Sequence, residues 1–180
     1  MLLAGLLATV PAQAEHQLSP VLGIERLMED GVITIELRGA SFIGRQRIKK
    51  ALATYNYALW AYGAPVRWRL WGPGGEVIIQ VGDCGHAAGY AVLFVEPKLS
   101  WARYYTRPYV CLSRRYVDGW EPYALSLTNH ELTHVLGLAD HPGCQERGLI
   151  MGGCYRRPAY PSRGEMRSLA QRYGWHLRSP

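Results

Sequence analysis

Apolar and polar positions change period several times along the chain, and each change predicts an element. "VITIELRG" (Val32 to Gly39) alternates the two kinds of side chain, as a strand with one buried face does. From Phe42 to about Tyr62 the apolar residues Ile48, Leu52, Tyr55 and Leu59 recur at three- and four-residue steps, with Arg45, Lys49 and Lys50 set apart from them. That is the period of an amphipathic helix, entered at Ser41 as N-cap and stopped by Gly63 and Pro65. "VRWRLW" and "EVIIQVG" read as strands either side of the turn signal Gly72-Pro73-Gly74-Gly75, and "GYAVLFVE" and "YVCL" as two more. A further helix is predicted from Pro122 to Leu136, ending at Gly137, and a final one from Ser162 to Tyr173, where Ser162 and Glu165 have the spacing of a capping box. This order of elements predicts an α+β or three-layer sheet-and-helix domain.

Composition narrows the class. The chain has 180 residues, 48% hydrophobic and 19% charged, which fits one folded domain with a real core. A formal net charge of +6 permits acidic partners, but the arginines are scattered and no nucleic-acid module accompanies them, so no nucleic-acid partner is expected. "MLLAGLLATVPAQA" is an apolar run ending in a small-x-small site before Glu15, read as a signal peptide over residues 1–14. It lacks a basic n-region, so either the start lies downstream of the true one or the segment is an anchor. The run is too short to span a bilayer. Residues 15–31 read as an N-terminal arm or short pro-segment without cysteine, and residues 32–180 as the domain proper. A secreted, extracellular monomer without stable membrane association is the expectation.

The cysteines agree with that compartment. Cys84, Cys111, Cys144 and Cys154 form an even set with no C-x-x-C pair, and two disulfides follow. Three pairings are open to the sequence; Cys144 with Cys154 is favoured because they bracket a short Gly-rich loop, leaving Cys84 with Cys111.

"HELTHVLGLADH" (His130 to His141) carries the candidate chemistry. On a helix His130 and His134 project from one face about one turn apart, so both imidazoles can reach one ion, while Glu131 sits at the flank, near a water rather than the metal. That division makes H-E-x-x-H two zinc ligands plus a general base. Such a string arises by chance in roughly one chain in a few hundred, so its surroundings matter. Gly137 can adopt positive φ and reverse the chain toward the helix. Asp140 or His141 then becomes the third ligand; either donor suits zinc, and spacing favours Asp140, with His141 facing outward or orienting a neighbour.

The pattern H-E-x-x-H-x-x-G-x-x-D, followed by "GLIMGG" around Met151, resembles the metzincin clan of zinc endopeptidases, and most closely the snapalysins, small secreted neutral proteases. The likeness covers about Thr128 to Trp175. It implies a metzincin-like zincin domain of the α+β class: a mixed twisted sheet, an active-site helix, a long N-terminal helix and a C-terminal helix. It implies His130, His134 and Asp140 as ligands of one catalytic zinc, Glu131 as the catalytic glutamate, Met151 as the Met-turn residue, and a Cys144–Cys154 disulfide. It also implies an antiparallel edge strand that takes an extended substrate, for which "GYAVLFVE" is the candidate. Tyr155 is the candidate oxyanion stabiliser, against packing, the commoner role of a tyrosine. Cys84 and Cys111 fall outside the family pattern, and calcium has no support in the residues.

The expected function is a secreted zinc-dependent endopeptidase, acting on extended peptide or protein substrates through a metal-activated water with Glu131 as general base. The alternative is a catalytically silent or non-proteolytic zinc-binding protein on the same scaffold; the presence of Glu131 weighs against it.

Overall fold

The computed structural model describes residues 30–92, 107–140, 150–151 and 159–178. The signal segment, the arm up to residue 29, His141, the Cys144 and Cys154 pair and Tyr155 lie outside the described residues.

The domain is α+β, with a five-stranded mixed sheet and four helices among the described residues. Strand β1 (Val32–Arg38) buries Ile33 and Ile35. Helix α1 (Phe42–Tyr62) follows, with the Ser41 hydroxyl accepting from the Gly44 N–H at 2.9 Å. All four residues that set its predicted period, Ile48, Leu52, Tyr55 and Leu59, are buried. Strands β2 (Arg67–Trp71), β3 (Val77–Gly82), β4 (Gly89–Val92) and β5 (Tyr109–Ser113) complete the sheet. Helices α2 (Arg114–Val117), α3 (Glu121–Val135) and α4 (Arg163–Tyr173) come last. Pro122 lies in the first turn of α3, where its missing N–H costs nothing, and α4 has the capping box expected at Ser162 and Glu165.

Strand order is β2-β1-β3-β5-β4. The first four run parallel, and β4 pairs antiparallel with β5 at the edge. The glycine turn after Trp71 does not make a hairpin. β1 lies between β2 and β3, and the connection crosses it where a Cβ on Gly75 would come within 2.5 Å of the Glu36 nitrogen. At the other edge Asn56 of α1 occupies the outward backbone groups of β2: its Nδ2 donates to the Trp68 carbonyl at 2.8 Å and its Oδ1 accepts from the Trp68 N–H at 2.7 Å.

The core lies between the sheet and the helices. Ile33, Ile35, Ile79 and Leu112 meet Ile48, Tyr55, Leu132 and Val135, and burial of each such side chain stabilises the fold by about 1.5–3 kcal/mol. Inside it the Tyr55 hydroxyl and Thr133 Oγ1 lie 2.8 Å apart, and Thr133 Oγ1 in turn donates to the Asn129 carbonyl at 2.7 Å. Tyr55 is therefore the donor to Thr133, and burial pushes its phenol pKa up. This chain of hydrogen bonds fixes α3 against α1. The disulfide Cys84–Cys111 joins the residues after β3 to the middle of β5, with a Cα–Cα distance of 5.9 Å. Helix α2 was not predicted from the sequence.

Candidate metal centre

Helix α3 ends where the chain reverses. Val135 is its last residue, and Gly137 takes φ 94°, closing the turn with its N–H on the His134 carbonyl at 2.7 Å. Leu138 then donates its N–H to the Thr133 carbonyl at 3.2 Å, which leads the backbone back along the helix and delivers Asp140 to the histidines.

The two imidazoles stand nearly perpendicular, with ring centroids 4.7 Å apart. Each is held through Nδ1: His130 to the Ile150 carbonyl and His134 to the Leu138 carbonyl, both at 2.8 Å. A carbonyl oxygen can only accept, so each Nδ1 carries a proton, and in the neutral ring Nε2 is then the nitrogen with the lone pair. Those Nε2 atoms lie 3.3 Å (His130) and 3.6 Å (His134) from Asp140 Oδ1. Three electron-rich atoms thus face one another, an arrangement that a proton or a metal cation relieves. The three residues offer ligand atoms within 4.8 Å of one another, and this trio could hold a metal ion. His130 is buried, whereas the Asp140 side chain is 63% exposed, so the site opens outward.

Glu131 turns to the adjacent side of α3 and is buried. Its carboxylate reaches β4 so closely that a Cβ built on Gly89 would stand 2.9 Å from Oε1. Gly89 has no positive φ, so a side chain there would be opposed by the space that the carboxylate and the Cys111 carbonyl take, and not by backbone conformation. Residues of β4, Tyr123 and Leu127 of α3, and the His, Glu and Asp groups line one cavity of about 480 Å³. Strand β4 is the sheet's edge among the described residues, and the Ser113 N–H donates to the Ala88 carbonyl at 2.8 Å. Antiparallel alternation then turns the backbone groups of Gly89 and Ala91 away from β5, toward the cavity side of the edge.

Met151 is fully buried, in a turn whose Ile150 carbonyl holds His130. The sequence reading missed three contributors: Gly89 against Glu131, the lining pair Tyr123 and Leu127, and Glu165 behind the Met151 turn. For Gly89 the available signal was a glycine opening a strand-like run, which marks a close approach without naming what approaches. No protein-family profile matches the chain, and no curated protein matches it.

Proposed function

We propose that this chain is a secreted zinc-dependent endopeptidase of the metzincin type, similar to the snapalysins. The observation that carries the reading is the convergence of His130 Nε2, His134 Nε2 and Asp140 Oδ1 beside the buried carboxylate of Glu131 and β4, the edge strand among the described residues. Tetrahedral zinc at its usual bond lengths separates its ligand atoms by about 3.3–3.4 Å; the two imidazole–carboxylate separations, 3.3 and 3.6 Å, are close to that, and all three ligand atoms lie within 4.8 Å of one another. Two neutral imidazoles and a carboxylate are also the donor chemistry that suits zinc better than magnesium or calcium.

His130, His134 and Asp140 would hold the zinc, which when bound would supply Lewis acidity toward water and a peptide carbonyl. The chain does the rest. An extended substrate pairs with the outward N–H and C=O groups of Gly89 and Ala91, which lays its backbone across the cavity. Glu131 takes a proton from the attacking water on its carboxylate and returns it to the amine that leaves. The walls provided by β4, Tyr123 and Leu127 hold the scissile bond between carboxylate and metal ligands. Export is supported by the Cys84–Cys111 disulfide, since such bonds persist in oxidising compartments. No helix of the described residues is long and apolar enough to cross a membrane.

Zinc content and cleavage of unfolded casein by the wild type and Glu131→Gln test the proposal. One zinc per chain, chelator-sensitive cleavage and an inert glutamine variant are expected. Chelator-insensitive cleavage, or full activity in the variant, refutes it; stoichiometric zinc without cleavage favours a binding protein.

A further inference from the structure

Glu165 is fully buried, yet a capping box needs only one of its carboxylate oxygens at a helix end. Here both are used. Oε2 accepts from the Ser162 N–H at 2.7 Å and the Ile150 N–H at 3.2 Å, and Oε1 accepts from the Met151 N–H at 2.8 Å. The last bond links Glu165 to the metal centre, because the Met151 N–H and the Ile150 C=O belong to one peptide group. The N–H end of that group meets Glu165, and the C=O end meets the Nδ1–H of His130 at 2.8 Å.

We propose that Glu165 is a positioning residue for His130, acting through the Ile150–Met151 peptide; this rests on the reading of His130 as a metal ligand. A carboxylate on the N–H of a peptide group pulls charge along its dipole and makes the carbonyl at the far end a stronger acceptor. The stronger acceptor holds the His130 proton on Nδ1, fixes the ring plane and leaves a more basic Nε2 facing Asp140. Carboxylates that hold a metal-ligating histidine directly do the same work; in this chain a peptide group is inserted between the two. The arrangement also gives the Met151 turn a function beyond packing, since its backbone conducts the effect.

Glu165→Gln separates this role from helix capping, because S-x-x-Q is still a capping box. The amide oxygen can serve Ser162 and Ile150, but the amide nitrogen then meets the Met151 N–H donor to donor. Ser162→Ala is the complementary control, removing the hydroxyl that accepts from the Glu165 N–H while leaving the carboxylate on the turn. Two readouts are made on each purified chain: zinc affinity by competition with a chromophoric chelator, and the ¹⁵N shifts of the histidine rings in metal-free protein, above the imidazole titration range.

Glu165→Gln is expected to weaken zinc binding about 10- to 100-fold, the usual effect of losing an outer partner of a ligating histidine. His130 should become a mixture of tautomers while His134, held by the Leu138 carbonyl, keeps its proton on Nδ1. Ser162→Ala should lower the thermal midpoint and leave both readouts unchanged. The proposal is overturned if Glu165→Gln keeps the wild-type His130 tautomer, or if both variants lose zinc affinity in proportion to their loss of stability. The ring shifts decide the point without metal or substrate, so failure of the peptidase reading remains separately visible.

Discussion

Replacing Gly89 by alanine puts a methyl group where the Glu131 carboxylate now sits. The added Cβ would lie 2.9 Å from Glu131 Oε1 and 3.1 Å from the Cys111 carbonyl oxygen. The backbone at position 89 accepts alanine, and the carboxylate, as the end of a flexible side chain, yields before β5 does. Restoring an ordinary contact of about 3.5 Å requires the carboxylate to retreat by about half an ångström. A misplacement of about 1 Å at a reacting group costs about 100-fold in rate, so half of that should cost about 10-fold, or about 1.4 kcal/mol of transition-state stabilisation. Valine at the same position, with two more methyl groups, should cost more than about 100-fold. Stability should change far less, because the overpacking penalty of about 1–3 kcal/mol is partly offset by the relief of about 0.5–1 kcal/mol when glycine leaves a strand. Initial rates of casein cleavage, normalised to bound zinc, and thermal midpoints measure the two effects separately. Wild-type rates in a folded, zinc-loaded valine variant would refute the reasoning, as would rate losses no larger than the loss of folded protein.

Four other outcomes are expected. Asp140→Ala should lose zinc while His141→Ala keeps it; zinc loss in the His141 variant alone would overturn the ligand assignment. Tyr55→Phe removes the buried donor to Thr133 and should lower unfolding free energy by about 1 kcal/mol in urea titrations, with unchanged zinc content. Opening the Cys84–Cys111 bridge, which closes a loop with a sequence separation of 27, should cost about 3.5 kcal/mol on a chain-entropy estimate, read from denaturation of a Cys84→Ala/Cys111→Ala chain. The Arg38 guanidinium, then the Gly74 amide and Arg107, hold the Glu36 carboxyl at about 2 instead of 4.5. Its contribution to stability is therefore complete above the ordinary carboxylate range and is lost as pH falls from 4.5 through about 2. A Glu36→Gln chain should show a shallower decline in denaturation midpoint over that interval.

What could be read from the sequence depended on how local its cause was. The limits of α1 follow from its cap and a 3.6-residue period within the segment, and the start of α4 from its capping box, and both were legible. The order of the strands was not, because β1 comes between β2 and β3 through contacts distant in sequence, whereas the glycine turn between those two looks like any other. Helix α2 has four residues, too few to show a period. The histidine spacing carried its own geometry, and Gly137 announced the reversal behind it. Glu165, by contrast, reads fully as a capping residue. Nothing near it in sequence reveals that its second oxygen meets Met151, since tertiary packing alone brings that turn under α3. The pairing of Cys84 with Cys111, which the structure contains, was reached only by elimination.

Asn56 gives the sheet a polarity between its two sides. An unprotected strand edge can template pairing with a second molecule of the same protein. At the β2 edge the carboxamide of Asn56 already fills the outward donor and acceptor of Trp68, so an incoming strand would have to displace it. The β4 edge has no such guard among the described residues. Aggregation by strand addition would therefore begin at β4, and a peptide seated there, as the proposed function requires, would also protect against self-assembly.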